Sequence, residues 1–304
     1  MDSRISGHTG LLALIGSPVG HSGSPAMYNY SFERLGLDYV YVAFDIKVEE
    51  VADAIAAMRT FKMRGCNVTM PCKTEVVRYM DELSPAAQII GAVNTIVNDN
   101  GKLIGHITDG IGYMQSLKDN DIDVIGKKMT IAGAGGAATA IEIQAALDGV
   151  KEMSIFNIKD KFWANAEETV KKIRENTDCI VNLYDLDDKD KLREEIADSY
   201  LFAQATGVGM KPLEGQTVVP DETYFRPDLI VTDTVYAPRE TVMMKQAKEA
   251  GIPVISYDRL LMNSDAVTYY ATFDNYKVGQ KQGEYLVDAL DLDNQDGPFN
   301  IELF

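Results

Sequence analysis

The sequence predicts an α/β protein built from two domains, and three observations lead to this prediction. Short apolar runs typical of buried strands alternate with segments of helical spacing, which is the pattern of α/β folds with mostly parallel sheets. One of these runs passes directly into a glycine-rich stretch and then a helix, at residues 129–138. The chain has 304 residues and is 46% hydrophobic, a size that favours two domains over one.

Strands and helices alternate along the first half of the chain. Leu11–Gly16 is an apolar run closed by glycine, and Asp38–Phe44 is a second strand-like run. The other predicted elements are helices at 26–35 and 48–55, and strands at 64–69 and from 91–95 onward. Polar segments adjoin these strands, and in open α/β sheets the ends of the strands are where ligands bind.

The glycine-rich stretch has the features of a phosphate-binding loop. Gly133 allows a sharp turn, Gly135 lets backbone N–H groups approach a pyrophosphate, and Ala138 is small enough for close packing of the helix. The dinucleotide contacts predicted here are Gly133, Ala134, Gly135, Gly136 and Ala137. The alternative is an ordinary tight turn of an α/β sheet that binds no ligand.

The second half continues the alternation and indicates a Rossmann dinucleotide-binding domain. A helix is predicted at 137–147, and the strand 154–157 ends near Asp160, whose carboxylate can meet the hydroxyls of an adenosine ribose. The later elements are a helix at 162–173, strands at 178–183, 201–206, 229–233 and 253–256, and a C-terminal helix at 284–290.

Composition argues against several classes of partner. The formal charge of −17 repels nucleic acid and anionic membranes, and no apolar run approaches the ~20 residues of a bilayer span. Cys66, Cys72 and Cys179 are too few for a disulfide framework and lack zinc-site spacing. We expect a cytoplasmic protein that binds a small molecule and no metal. The oligomeric state stays open, with a homodimer as one option.

A catalytic pair can be sought among the polar segments of the first half. Oxidation of a secondary alcohol by a nicotinamide cofactor requires a base that takes the hydroxyl proton. A lysine whose pKa is lowered by desolvation can do this, and a nearby carboxylate can orient it. Lys73 and Asp109 are the candidates. The alternatives are a surface lysine and an aspartate that caps a helix.

Five segments together resemble the shikimate dehydrogenases. They occur in the order found in that family, and the similarity extends over nearly the whole chain. The segments are Ser22–Pro25, Asn67–Lys73, Gly91–Thr95, Thr108–Gly110 and Gly133–Ala138. The acid at Asp160 makes the chain most similar to the quinate/shikimate dehydrogenase branch.

This resemblance implies an enzyme that reversibly oxidises shikimate or quinate, both cyclic hydroxy acids, to the 3-dehydro acid, as in aromatic amino acid biosynthesis or quinate catabolism. It implies a substrate domain of residues 1–112 and 258–304 and a Rossmann domain of residues 113–257. Lys73 and Asp109 would be the catalytic pair and would also contact the substrate. The other substrate contacts implied by position are Ser22, Ser24, Thr69, Asn94, Tyr236 and Asn263.

The cofactor implied is NAD, with NADP as the alternative. Family members that use NADP usually carry arginine directly after the strand-end asparagine, where this chain has Ile158. A carboxylate suits a free ribose diol and repels a 2′-phosphate, although Lys159 leaves room for NADP. The cofactor contacts implied by position are Asn157, Ile158, Lys159, Asp160, Thr206, Gly207, Thr234, Val235, Tyr236, Ala237 and Ser256.

The chain departs from the family pattern at two places. Gln204 stands where asparagine is usual, and Ser256–Asn263 replaces a glycine-rich turn that carries a substrate-binding glutamine. Asn263 is one methylene shorter than glutamine, and glycine lets the backbone approach the nicotinamide closely. Two alternatives therefore stay open: a degenerate paralogue that senses a ligand or cofactor without catalysis, and an enzyme of the same architecture that acts on another small molecule.

Overall fold

The protein folds as two compact units. The structure, a computed structural model, describes residues 5–235, 237–238 and 240–252, together with the backbone of 254–258 and 269–272. Unit 1 holds the described residues up to Thr108, and unit 2 runs from Asp109 to Thr272. Unit 2 differs from the predicted span 113–257 because the helix Asp109–Asp119 and the strand Tyr269–Thr272 belong to it.

Unit 1 contains a six-stranded sheet in the order β2-β1-β3-β5-β6-β4. Its elements are β1 (Gly10–Gly16), α1 (Ser24–Leu35), β2 (Tyr39–Asp45), α2 (Val51–Thr60), β3 (Gly65–Val68), β4 (Glu82–Leu83), α3 (Pro85–Ile90), β5 (Thr95–Asp99) and β6 (Lys102–His106). Short 3-10 helices cover Val48–Glu50 and Glu75–Tyr79. β1 pairs in parallel with β2 and β3, and β4 pairs in parallel with β6.

β5 runs against the direction of the other central strands. It pairs antiparallel with β3 and with β6. Asn100 and Gly101 turn the chain between β5 and β6 with φ values of 51° and 99°, a conformation that suits a tight hairpin. The beginning of β5 therefore lies at the same edge of the sheet as the ends of β1 and β3. The sequence predicts ligand contacts at the ends of strands, and in unit 1 the beginning of β5 lies beside those ends.

Unit 2 contains a fully parallel sheet in the order β13-β12-β11-β10-β7-β8-β9. Its elements are α4 (Asp109–Asp119), β7 (Lys128–Ala132), α5 (Gly136–Asp148), β8 (Glu152–Asn157), α6 (Trp163–Asn176), β9 (Ile180–Asp185), α7 (Lys189–Asp198), β10 (Leu201–Gln204), β11 (Ile230–Asp233), α8 (Val242–Glu249), β12 (Val254–Asp258) and β13 (Tyr269–Thr272), with a 3-10 helix at Glu222–Tyr224. The strand order reverses between β7 and β10, as in doubly wound dinucleotide-binding folds.

The core of unit 2 covers both faces of its sheet. Ile131 and Ile155 lie on one face and are fully buried. Phe156 and Phe202 belong to a buried cluster that also includes Leu192 of α7. Strands that are apolar on both faces are typical of parallel sheets, because helices cover each side. This packing fixes the carboxyl ends of β7, β8, β10 and β11 along one edge.

The predicted α/β class is confirmed, and most predicted elements lie within a few residues of those observed. The sequence pattern missed α3, α7, α8, β4, β6 and β13. α7 was missed because only Leu192, Glu195 and Ile196 are buried in an otherwise charged segment. The predicted helix at 284–290 lies outside the described residues. Within the part of the chain that the structure describes, no helix combines the length and apolar character needed to span a membrane.

Candidate active site

The glycine loop lies at the switch point of the parallel sheet, between the carboxyl ends of β7 and β10. The N–H of Gly133 donates to the carbonyl oxygen of Phe156 at 2.8 Å. Gly133 has a φ of 130°, and a Cβ atom there would lie 2.5 Å from the carbonyl oxygen of Ala205. Only glycine fits this position, so the loop can pass close to both neighbouring strands.

The N-terminus of α5 is open at the end of this loop. Gly135 is the N-cap residue and no side chain caps the helix. A Cβ atom at Gly135 or Gly136 would meet nothing within 4 Å, and Gly136 and Ala137 are exposed. Backbone N–H groups and the helix dipole attract anions at such a helix start. The loop therefore has the donors and the space that the pyrophosphate of a dinucleotide requires.

Asn165 of α6 supports the loop, and the sequence reasoning did not find it. Its amide nitrogen donates to the carbonyl oxygen of Ala134 at 2.7 Å and lies 3.3 Å from the hydroxyl of Thr139. Ala134 is buried by this arrangement. Asn165 lies beside the apolar stripe of α6, so the sequence pattern indicates only a solvent-facing position.

The predicted ribose contacts lie at the end of β8. Asn157 is buried, and its amide nitrogen donates to the carbonyl oxygen of Ile158 at 2.7 Å. The carboxylate of Asp160 accepts from this amide at 3.3 Å and from the N–H of Phe162 at 2.9 Å. Ile158 is 43% exposed at the position where arginine would bind a 2′-phosphate. This segment thus forms a short ordered turn with an exposed acid.

Lys159, the cation nearest to this turn in sequence, already has an acidic neighbour. Its ammonium nitrogen lies 3.3 Å from a carboxylate oxygen of Asp185 on β9 and 5.5 Å from the ring centre of Trp163. A hydrogen bond from the N–H of Asp187, followed by the interaction with Lys159, lowers the pKa of Asp185. A 2′-phosphate at this edge would have to compete with Asp185 for Lys159.

Gln204 organises the end of β10. Its side-chain oxygen accepts from the N–H of Thr206 at 2.5 Å, and its side-chain nitrogen donates to the carbonyl oxygen of Val208 at 2.9 Å. Its main-chain oxygen accepts from the N–H of Thr234 at 3.0 Å, which joins the loops that follow β10 and β11. Glutamine at this position therefore holds the predicted contacts Thr206 and Thr234 in place. Gly207, between Thr206 and Val208 in the chain, is exposed.

Asp233 holds the loop after β11 from inside the unit. Its carboxylate accepts from the N–H of Val235 at 2.9 Å and from the hydroxyl of Thr241 at 2.8 Å. Burial raises the pKa of Asp233 to about 7, against the lowering effect of these two hydrogen bonds. Ala237 is exposed beyond this loop. The backbone of Ser256 in β12 pairs with Asp233, whereas Tyr236 and Asn263 lie outside the described residues.

The predicted substrate contacts of unit 1 meet at one edge of its sheet. The N–H of Thr69 donates to the carbonyl oxygen of Ile15 at 2.9 Å, which joins the ends of β3 and β1. The carbonyl oxygen of Lys73 accepts from the N–H of Val93 at 2.8 Å, one residue before Asn94. Thr69, Lys73 and Asn94 are all partly exposed. The segments Asn67–Lys73 and Gly91–Thr95 are therefore neighbours in space as well as in the family pattern.

Asn94 has a defined side-chain orientation at this edge. Its amide oxygen accepts from the hydroxyl of Thr95 at 3.0 Å and from the N–H of Thr108 at 3.1 Å. Its amide nitrogen donates to the hydroxyl of Thr108 at 3.1 Å. The amide oxygen is thus used within the protein, which leaves an N–H of Asn94 to face a ligand.

Ser22 and Ser24 lie at the start of α1. The N–H of Ser22 donates to the carbonyl oxygen of Val19 at 3.0 Å, and the hydroxyl of Ser22 accepts from the N–H of Ser24 at 3.2 Å. Both serines are partly exposed. Hydroxyl groups beside a helix N-terminus suit a carboxylate ligand.

Asp109 is the first residue of α4 in unit 2, and it is partly exposed. A carboxylate in the first turn interacts favourably with the helix dipole. A Cβ atom on the next residue, Gly110, would overlap the carbonyl oxygen of Ala140, so α4 packs closely on α5. This contact ties the position of Asp109 to the helix that follows the glycine loop.

Two family models match the chain. The first is described as the shikimate dehydrogenase substrate binding domain and matches residues 14–96. The second is described as a periplasmic binding protein domain and matches residues 152–303. The second match starts in β8 and includes the altered segment Ser256–Asn263.

Similar proteins of known identity include shikimate and quinate dehydrogenases. A shikimate dehydrogenase (NADP(+)) of Listeria monocytogenes serotype 4b (strain F2365) is 57% identical over 253 residues, 83% of this chain and 87% of the relative. The crystal structure of shikimate 5-dehydrogenase from Listeria monocytogenes with shikimate and NAD has a TM-score of 0.82 at 50% identity, covering 94% of each chain. A quinate dehydrogenase from Corynebacterium glutamicum with NAD has a TM-score of 0.70 at 27% identity, covering 81% of this chain and 87% of that one.

These matches extend the evidence from single motifs to most of the chain. The first family model covers the loops that carry Ser22, Thr69 and Asn94. The Listeria monocytogenes relative is far above the identity at which fold and family can be carried over, and it covers 83% of this chain. The resemblance found in the sequence motifs is therefore confirmed, and the chain belongs to the shikimate dehydrogenase family.

Proposed function

We propose that this protein reversibly oxidises a ring hydroxyl of shikimate with a nicotinamide dinucleotide. Quinate is the second substrate to consider because a quinate dehydrogenase shares the fold. The observation that carries the proposal is the meeting of Thr69, Lys73 and Asn94 at one edge of the unit 1 sheet. Family membership supports a role for this edge in substrate binding, since a relative of the same fold binds shikimate.

Unit 1 would bind the ring acid through groups of complementary chemistry. The hydroxyls of Ser22 and Ser24, at the start of α1, would hold the carboxylate. The hydroxyl of Thr69 and the amide N–H of Asn94 would bind ring oxygens. Tyr236 and Asn263 are assigned to the substrate from the sequence alone. Several fixed polar contacts of this kind give specificity for a polyhydroxylated ring.

Lys73 would act as the base of the reaction. Its amine would take the proton of the reacting hydroxyl, and Asp109 would hold the same hydroxyl and orient the amine. When bound, the dinucleotide supplies the hydride acceptor. In the reverse direction the ammonium of Lys73 would return the proton to the carbonyl oxygen of the 3-dehydro acid.

Unit 2 would bind the dinucleotide along the carboxyl edge of its sheet. The glycine loop and the start of α5 would hold the pyrophosphate, and Asp160 would meet the adenosine ribose. Thr206, Gly207, Thr234 and Val235, fixed by Gln204 and Asp233, would flank the nicotinamide together with Ala237 and Ser256.

NAD is the cofactor that the local chemistry supports, although the curated relatives are named as NADP(+) enzymes. Ile158 supplies no charge to a 2′-phosphate, Asp160 would repel it, and Lys159 is engaged by Asp185. Among solved structures of this fold, the Listeria monocytogenes shikimate 5-dehydrogenase holds NAD and another shikimate dehydrogenase, 37% identical, holds NADP+.

The proposal is tested by following NADH or NADPH formation with shikimate and with quinate. Wild-type protein is expected to oxidise shikimate, and Lys73→Ala to lower kcat by roughly 10²-fold or more, because a general base contributes that much. Lys62→Ala, at an exposed lysine in the turn that follows α2, is the matched control and should leave kcat unchanged. Activity that survives Lys73→Ala removes the assigned base. Cofactor binding without turnover of either acid would favour the non-catalytic alternative.

A further inference from the structure

We propose that Tyr41 is a positioning residue for substrate binding, because a partly buried chain of hydrogen bonds connects its hydroxyl to the amide of Asn94. The Tyr41 hydroxyl donates to the amide oxygen of Asn67 at 2.8 Å. The amide nitrogen of Asn67 donates to the hydroxyl of Thr95 at 3.3 Å, and this hydroxyl donates to the amide oxygen of Asn94 at 3.0 Å. The inference rests on the proposed role of Asn94 in binding the ring.

The register of the sheet explains how Tyr41 reaches Asn67 across an intervening strand. Tyr41 of β2 pairs with Leu12 of β1, and Leu12 pairs with Gly65 of β3. Asn67 lies two residues further along β3, on the same face, and pairs with Thr95 of β5. A Cβ atom at Gly65 would lie 2.9 Å from the carbonyl oxygen of Ile96, so glycine lets β3 and β5 approach closely beside Asn67. Tyr41, Gly65, Asn67 and Thr95 line a common cavity of about 30 Å³.

Tyr41 is itself held firmly. Its side chain is 3% exposed and its ring stacks on Tyr28 with 4.4 Å between ring centres. The amide of Asn29 on α1 accepts from the N–H of Tyr41 at 2.9 Å and donates to its carbonyl oxygen at 2.7 Å. The same amide nitrogen donates to the carbonyl oxygen of Pro25 at 2.7 Å, directly after Ser24. The chain of bonds thus begins beside the proposed carboxylate-binding serines and ends at Asn94.

The direction of these bonds determines what Asn94 presents to a ligand. Each donor in the series has one acceptor, so the Tyr41 hydroxyl fixes the Asn67 amide, and Asn67 fixes the rotation of the Thr95 hydroxyl. Thr95 then requires the oxygen of Asn94 to face it. Asn94 is therefore fixed as a donor toward the substrate, and it would select an accepting oxygen of a ring hydroxyl or carbonyl. Without the Tyr41 hydroxyl the Asn67 amide can turn over, and the Asn94 oxygen then keeps the N–H of Thr108 but loses its fixed donor, the Thr95 hydroxyl.

Steady-state kinetics with Tyr41→Phe tests this role. Loss of one hydrogen bond in the series is expected to raise KM for shikimate roughly 3- to 10-fold and to leave kcat and KM for the dinucleotide within about 2-fold. Tyr28→Phe keeps the stacked ring pair intact and lies outside the bond series, so it serves as the matched control with unchanged KM. A purely structural effect would instead lower the active fraction, and hence kcat, at constant KM.

A second pair of variants tests the next step of the series. Thr95→Val removes the hydroxyl that reaches Asn94 and should raise KM for shikimate roughly 10-fold, whereas Thr95→Ser keeps the hydroxyl and should restore it. If Tyr41→Phe and Thr95→Val leave KM within 2-fold of wild type while Asn94→Ala raises it, the positioning role is overturned and the proposed function stands.

An NMR measurement separates this inference from the proposed function. The side-chain amide signals of Asn94, assigned by their loss in Asn94→Asp, should shift in Tyr41→Phe and stay in place in Tyr28→Phe. This NMR shift is expected even if the protein turns over neither shikimate nor quinate, because the measurement does not depend on catalysis. Signals that stay in place in Tyr41→Phe contradict the hydrogen-bond relay directly, whatever the activity of the enzyme.

Discussion

Glu142 is the residue at which this sequence most clearly departs from the rule that buried charges are paired. It is fully buried in α5, and among the described residues neither of its carboxylate oxygens accepts a hydrogen bond. Burial raises its pKa from 4.5 to about 8. Glutamate is seldom fully buried without a partner. The structure buries it because α5 is covered on several sides, as Ala138, Ile141, Ile143 and Ala145 show.

Glu142→Met is expected to stabilise the protein, most of all in alkaline solution. The folded state keeps Glu142 protonated up to a pH of about 8, whereas the unfolded chain ionises near 4.5, so wild-type stability falls as pH rises between these values. At pH 9 the variant should gain about 2 kcal/mol or more in the free energy of unfolding, measured by urea denaturation.

The same substitution at exposed Glu168 of α6 is the control for Glu142→Met and should change stability by less than ~0.5 kcal/mol. A smaller pH dependence should persist in Glu142→Met, because Asp233 also has a pKa raised by burial, to about 7. Equal pH dependence in wild type and Glu142→Met would show that Glu142 is ionised inside the folded protein.

The proposed preference for NAD can be tested at a second single residue, Ile158. Ile158→Arg places a guanidinium where the proposed site would receive a 2′-phosphate, and a bidentate arginine–phosphate contact contributes roughly 1.5–3 kcal/mol. KM for NADP should fall about 10-fold or more, with little change for NAD. Ile158→Gln, similar in length and uncharged, is the control. An equal improvement with Gln would contradict a charge effect.

At the scale of elements, substitutions at the start of α5 can distinguish an effect on helix stability from an effect on cofactor binding. Gly135 has φ −81° and ψ −177°, a conformation open to any residue, and a Cβ there meets nothing within 4 Å. Gly135→Asp and Gly135→Asn should both cap α5 and raise stability by a few tenths of a kcal/mol to about 1 kcal/mol. Only the aspartate adds a negative charge to the proposed pyrophosphate site.

Dinucleotide affinity, measured by calorimetry, should therefore fall at least ~10-fold further for Gly135→Asp than for Gly135→Asn, while thermal stability stays similar. Equal affinities would place the pyrophosphate away from α5.

The elements show which parts of the fold and site a sequence pattern can reveal. The glycine loop was predictable because Gly133, Gly135 and Ala138 lie within six residues of the chain and each has a local structural reason. The β5–β6 hairpin carried a local signal too, Asn100-Gly101, which the reading of alternating strands and helices overlooked. The bond series from Tyr41 to Asn94 had no such signal, because it depends on the pairing of four neighbouring strands, β2, β1, β3 and β5.

At the scale of the whole molecule, the chain combines two kinds of sequence similarity. The shikimate dehydrogenase relative aligns over 253 residues, and the periplasmic binding protein model continues through residue 303. The family turn with its glycines and glutamine is missing where that second match runs, at Ser256–Asn263. Family membership is thus secure for most of the chain, and the sequence is altered at the turn that the resemblance assigns to the substrate.

Exchange of residues 256–304 for the C-terminal segment of the Listeria monocytogenes relative should raise kcat/KM for shikimate about 10-fold or more, because a lost polar contact to a substrate hydroxyl costs at least that much. The exchanged chain carrying Lys73→Ala is the control and should stay inactive. Unchanged kcat/KM after the exchange would show that Ser256–Asn263 already serves the substrate as well as the family turn does.

The reversal of β5 has a final consequence for how reliably the enzyme can be made. A slip of two residues between β5 and β3 would preserve the inward and outward alternation of side chains, yet it would carry Asn94 about 7 Å from its place. Molecules with this shifted register would keep their helices and their solubility, but they would not bind the ring of the proposed substrate. Preparations of equal purity could therefore differ in specific activity, because they would differ in the fraction of molecules in which β5 pairs with β3 in the correct register.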